Sequence, residues 1–197
     1  MLDTIRAFLP ALRKTGNGAR VITVGSLSGL VANPGTATYS ASKFAVEGIT
    51  DALRRELQTF GISVSLLEPA YVKSRIAHKV YDNKPFFGAS PAEYDLYRGV
   101  FDGFFTYDRR MSLSQSSDTP ATTTTPAILD AILSPTPQTR YPCATVDGSP
   151  SWFVAMLQRL LPDRVMDALM HSGHEAANKA ARDGMSNALP TSSSSRD

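Results

Sequence analysis

The chain has one cysteine, no long apolar run and almost no charge excess. Cys143 is the sole thiol among 197 residues, which excludes an intrachain disulfide and a cysteine-built metal site and leaves it the role of a small core residue. No apolar run approaches the ~20 residues needed to cross a bilayer, and residues 1–14 lack the order of a signal peptide. Scarce cysteine suits a reducing compartment, so a cytoplasmic location is expected, with membrane-surface association through an apolar helix stripe as the alternative. Twenty Lys and Arg against eighteen Asp and Glu leave a net charge of +2. Without a dense basic run interleaved with aromatics, nucleic acid is not an expected partner. His78, His171 and His174 do not converge on a ligand pattern, and no metal is expected. Nor does a glycine-rich turn follow a strand and open a helix; Gly16-Asn17-Gly18 precedes a strand instead.

What is present is enough apolar residue, 42%, to bury the core of one domain, expected over residues 1–172 with a disordered polar tail at 173–197. Leu2, Ile5, Leu9 and Leu12 recur at spacings of three and four, which predicts an amphipathic helix over 2–14, kinked or loosened at Pro10. Residues 19–24 form a nearly continuous apolar run, the pattern of a strand covered on both faces. Helical periodicity returns from Ser40, with Val46, Ile49, Leu53 and Leu57 as the buried stripe. Glu47, Asp51, Arg54, Arg55 and Glu56 make its solvated side, and Gly61 ends it. A second buried strand, 62–67, closes on Glu68-Pro69. Strand, crossover helix and strand predict a βαβ unit. The fold class is therefore α/β, with part of a doubly wound parallel sheet whose ligands bind outside the carboxyl ends of its strands.

Aromatics from Tyr71 to Tyr107 crowd the next stretch, and a Ser/Thr-rich tract at 112–125, expected to be mobile, follows. Residues 70–125 read either as a packed excursion with a loop or as an apolar lid over a substrate pocket. Further on, the pattern predicts a helix at 126–133 and a strand at 140–146 that Pro142 restricts to an edge or a bulge. Two amphipathic helical pieces follow at 151–161 and 163–170.

The residues able to do chemistry stand where strand gives way to helix. Ser26 ends the first strand, and Tyr39 and Lys43, four apart, share one face of the next helix. Glycine and proline lie between, and Ala41, Ala45 and Gly48 are expected to let that helix approach other backbone closely. A cation beside a phenol favours the phenolate. A tyrosine so placed can take a proton from an alcohol whose carbon loses hydride, or return one to a carbonyl that gains it. A serine hydroxyl at the strand end would donate to the carbonyl oxygen and fix the reacting carbon. Hydride transfer itself calls for a cofactor. A tyrosine and lysine so spaced arise by chance on many helices, so the ordered set carries the argument rather than the pair.

On these residues, the segment from Gly25-Ser26 to Gly48 resembles the active-site segment of the short-chain dehydrogenase/reductase family, and the likeness extends over about residues 1–80. The resemblance implies Tyr39 as general acid/base and Ser26, thirteen positions upstream, as the group orienting the substrate oxygen. It implies Lys43 as a ligand of the nicotinamide ribose; Ser28, eleven positions upstream of Tyr39, is off the family spacing. Pro69 resembles the start of the family's proline-glycine motif, with Ala70 in place of glycine and Ser74 where threonine often stands. Cofactor contacts are thereby implied at Tyr39, Lys43, Pro69, Val72 and Ser74, the cofactor being NAD or NADP. Residues 128–169, with Arg140-Tyr141 and Leu160-Leu161-Pro162-Asp163-Arg164, are similar to the end of the subgroup acting on steroids, retinoids and related lipophilic alcohols. That likeness implies a small lipophilic substrate, and the family implies a homodimer through helices 2–14 and 40–60.

In family terms the strands and glycine-rich turn that hold cofactor phosphates precede Met1. The expectation is a partial Rossmann-like sheet lacking its N-terminal strands. Two functional readings follow. One is an NAD(P)-dependent oxidoreductase interconverting an alcohol and a carbonyl, represented by its C-terminal portion. The other is a truncated, inactive paralogue acting only as an interaction subunit. For the chain alone, a bared parallel sheet predicts poor solubility or a molten state.

Overall fold

The computed structural model of the chain describes residues 1–33, 36–73, 119–170 and 179. It opens with helix α1 (Leu2–Thr15), whose Ile5, Leu9 and Leu12 pack on the sheet as their spacing predicts. Pro10 does not interrupt it: the residue is exposed, so water can take the hydrogen bond the ring cannot make. A turn closed by the Ala19 N–H to the Gly16 carbonyl at 2.9 Å leads into strand β1 (Arg20–Val24).

After a 3-10 turn at Leu27–Gly29, helix α2 (Ala37–Leu57) crosses to strand β2 (Ser63–Pro69). The helix tightens into a 3-10 turn, Gln58–Phe60, before Gly61 reverses the chain at φ 68. A side chain at Gly61 would be strained at that angle and would overlap the Asn17 amide, so glycine alone ends the helix here.

Helix α3 (Thr124–Leu133) and strand β3 (Arg140–Cys143) complete the unit. The sheet order is β1-β2-β3, all parallel, with Val21 beside Val64 and Leu67 beside Tyr141. This is the expected α/β layering. Ala19, Val21, Ile62, Val64 and Leu57 form one core under α1 and α2; Leu67, Tyr141, Cys143 and Ala131 form the other under α3. The central strand is the most deeply covered, Leu66 and Leu67 each being 1% exposed.

Four expectations change. The 112–125 tract does not enter the fold as loose chain where it is described: the Thr123 hydroxyl donates to the Thr119 carbonyl at 2.7 Å, in a turn that delivers α3. The strand expected over 140–146 divides, because Ala144 takes φ 67; the chain then forms a hairpin of β4 (Thr145–Val146) and β5 (Ser149–Pro150) leading into α4 (Ser151–Leu160). Val24 is 57% exposed, because α3 covers Ile22 and leaves that end of β1 bare. Finally, the inner face of α2 carries Ser40, Glu47, Thr50 and Leu57, while Ala41, Ala45 and Gly48 face outward. The aromatic stretch at 74–118, the three histidines and the tail at 173–197 apart from Lys179 lie outside the described residues.

Candidate active site

β1 and β2 end side by side, and α2 starts beside them. The Gly25 N–H donates to the Leu67 carbonyl at 2.8 Å, carrying the β1–β2 pairing one residue past β1. Ser26 then caps the 3-10 turn: its Oγ accepts from the Ser28 N–H at 3.1 Å and makes a long bond, 3.4 Å, to the Pro69 carbonyl. Its hydroxyl therefore sits between the ends of both strands, and the residue is 9% exposed. Ser28 contributes its backbone N–H to this cap, in keeping with a loop role.

Lys43 lies on the first turns of α2, and its Nζ donates to the Val24 carbonyl at 3.2 Å, two residues before Ser26. The same ammonium is 5.6 Å from the centre of the Tyr39 ring, a cation–π arrangement. Tyr39 is 48% exposed. The structure thus joins Tyr39, Lys43 and the end of β1 in one contact chain, and joins Ser26 to Pro69 in another. Val72 is half-buried just beyond β2, and Ser74 lies outside the described residues.

Close packing here depends on Gly29 rather than on the small residues of α2. A Cβ at Gly29 would stand 2.9 Å from the Lys43 carbonyl oxygen, whereas one at Gly48 would meet nothing within 4 Å.

Behind the site lies a charge cluster, two members of which, Glu47 and Asp51, were expected on the solvated side of α2. Arg140 on β3 donates through Nη1 to Glu47 Oε2 and Glu68 Oε1, and through Nη2 to Asp51 Oδ1 at 3.0 Å. Glu47 and Glu68 are 8% and 4% exposed. Burial pushes the Glu47 carboxyl above the usual glutamate value; Arg140 opposes this, and the charges of Glu68 and Asp51 add to it. For Asp51 burial works the same way but is outweighed by Arg140, Arg54 and Arg55, which hold its carboxyl below the usual value. The available signal was Glu68, an acid closing a strand read as buried, since a buried carboxylate requires a cation.

The short chain dehydrogenase family model matches residues 1–85. An uncharacterized oxidoreductase of Escherichia coli, YbbO, is 34% identical over 162 residues, covering 82% of this chain and 51% of its own. The 17-beta-hydroxysteroid dehydrogenase type 6 of Bos taurus is 42% identical over 74 residues, 38% of this chain and 22% of that one. A short-chain dehydrogenase structure from Streptomyces avermitilis superposes with a TM-score of 0.50 at 22% identity, covering 91% of this chain and 57% of that one, a likeness of fold. The chain spans about half the length of the relative first named. The segment that supplies Ser26, Tyr39 and Lys43 thus lies within the part similar to the short chain dehydrogenase model, on a Rossmann-like α/β fold and in a chain similar in sequence to oxidoreductases.

Proposed function

We propose that this chain is the proton-handling part of an NAD(P)-dependent oxidoreductase that interconverts an alcohol and a carbonyl on a lipophilic substrate. The observation carrying the reading is the position of Lys43 Nζ, held at once by the Val24 carbonyl at 3.2 Å and by the Tyr39 ring. With Lys43 fixed there, the Tyr39 hydroxyl exchanges a proton with the substrate oxygen. Ser26 Oγ, at the junction of the strand ends, donates to that oxygen and orients the reacting carbon.

The residues present fit the nicotinamide-ribose end of a dinucleotide. Lys43 uses one of its three N–H donors on Val24, which leaves two for ribose hydroxyls. Pro69 is the last residue of β2 and Val72 and Ser74 follow it in sequence, where they would border the ring. The sequence holds no turn for the diphosphate. When bound, the nicotinamide supplies or accepts the hydride. A lipophilic substrate is supported by the aromatic stretch after β2 and by the hydroxysteroid dehydrogenase relative.

Titration with NADH and NADPH, followed by turnover of a lipophilic ketone, tests this. Turnover that Tyr39→Phe lowers by roughly 10²–10⁴-fold without shifting the melting temperature is the expected result. Failure of both cofactors to bind would overturn the reading for this chain. The alternative, an interaction subunit without catalysis, is supported by the bare surface: Val24, Leu129 and Leu133 are 57%, 50% and 74% exposed. A homodimer through α1 and α2 belongs with either reading. Cofactor-dependent turnover by the purified chain would sink the non-catalytic alternative.

A further inference from the structure

The guanidinium of Arg140 lies behind all three elements that build the site. One of its partners, Glu68, immediately precedes Pro69, whose carbonyl receives the Ser26 hydroxyl. Another, Glu47, is one helical turn beyond Lys43 on α2. The Glu47 side chain also fills the space under the Ser26 loop: its Cγ is 3.0 Å from the Cβ position of Gly29, and its Oε1 is 3.4 Å from that of Gly25. The arginine itself stands on β3, an edge strand among the described residues, and touches α2 a second time at Asp51.

We propose that Arg140 is a positioning residue: its fork fixes the Lys43–Glu47 turn of α2 against the ends of β1 and β2, and so sets where Lys43 and Tyr39 stand relative to Ser26. The catalytic meaning of this placement rests on the oxidoreductase reading above; the clamp itself does not. A planar guanidinium can hold carboxylates from a helix and a strand in one fixed geometry, which the single ammonium of lysine cannot. Glu47 Oε1 has no hydrogen-bond partner among the described residues, so the orientation of that carboxyl depends on the Arg140 bond to Oε2.

Charge neutralisation alone would also explain an arginine between buried acids, and the test separates the two roles. Amide hydrogen exchange is measured on the chain, on Arg140→Lys, and on the triple variant Arg140→Met, Glu47→Gln, Glu68→Gln, in which neither buried acid is left charged without its cation. The expected result is exchange at residues 40–47 about tenfold faster in both variants, with 50–57 and 63–67 unchanged. Unchanged exchange at 40–47, or a uniform rise across the chain, would overturn the proposal. If the triple variant does not fold, Arg140→Lys decides alone. With a cofactor and ketone, Arg140→Lys should lower kcat about tenfold and leave the KM of the ketone within about twofold, as displacement of Lys43 and Tyr39 requires. An unsubstituted chain without turnover would count against the oxidoreductase reading and leave the exchange result to judge the clamp.

Discussion

Gly29 approaches α2 so closely that a methyl group on it would stand 2.9 Å from the Lys43 carbonyl oxygen and 3.0 Å from Glu47 Cγ. Because the nearer obstacle is helix backbone, it cannot swing aside. Gly29→Ala should therefore cost about 1–3 kcal/mol and push the 3-10 turn off the helix. Gly48→Ala is the contrast: it lies exposed inside the same helix with open space around it, and should gain about 0.5–1 kcal/mol. Thermal melts of the two variants should move in opposite directions; a shared direction would contradict the packing described.

The acid cluster makes a prediction in pH. Because the Glu47 carboxyl titrates above its ordinary value in the folded chain, the folded state holds that proton more tightly than the unfolded state. Its contribution to stability is fully present below the unfolded value and lost as pH rises through the raised folded value. Glu47→Gln cannot titrate. The melting temperature of this variant relative to the unsubstituted chain should rise with pH across that window and then level off. Asp51, Arg54, Glu68 and Arg140, which face Glu47 or its partners, are the same in both proteins. A difference that falls with pH would reverse the assignment.

Cys143 should behave as an inert thiol. Burial, with the Glu68 charge behind it, pushes its pKa up to about 11, and its Sγ donates to the Tyr141 carbonyl at 3.1 Å. At pH 8 about one thiol in a thousand is then ionised, against roughly a quarter for a free cysteine. Labelling by a disulfide reagent should be at least about a hundredfold slower than for the unfolded chain. Labelling at the free-thiol rate under native conditions would show that the core under α3 is not closed over it.

Tyr141→Phe probes the β3–α3 packing. The buried phenol donates to Asp130 Oδ2 at 2.6 Å and accepts from the Gln138 N–H at 2.9 Å. Burial first, and then the Asp130 bond, hold its pKa above the ordinary value. Loss of both bonds should cost about 1–3 kcal/mol, read as a drop of several degrees in the melting temperature. An unchanged melt would mean that water replaces both partners.

The sequence showed much of the frame. The nearly continuous apolar run at 19–24, the alternation that thickens over 62–67 and the stripe of Ile5, Leu9 and Leu12 required no tertiary knowledge, because core strands and amphipathic helices follow directly from hydrophobic period. Lys43 was legible through its spacing from Tyr39. What escaped was long-range polar pairing. Glu47 has the composition of a solvated helix residue, and only the arrival of Arg140, ninety-three residues later, makes its burial tolerable. Gly29 escaped for a related reason, since a glycine required by packing carries no local mark when its φ is ordinary. The split at Ala144 depends on a backbone angle, φ 67, that alanine does not advertise.

The pairing of β2 with β3 has a consequence for how this fold can change. The two strands join across the long connection from Ala70 to Thr139, yet the join is tight: the Ala70 N–H donates to the Cys143 carbonyl at 2.9 Å. The entropy of closing a flexible connection grows only with the logarithm of its length, about 0.6 kcal/mol for each doubling. A segment of different length and composition can therefore be spliced between β2 and α3 at little cost in closure entropy, provided α3 keeps its place on the core. Ser26, Tyr39 and Lys43 would stay in place while that connection diverges, so under the proposed function related chains could keep one reaction and differ in what they act upon.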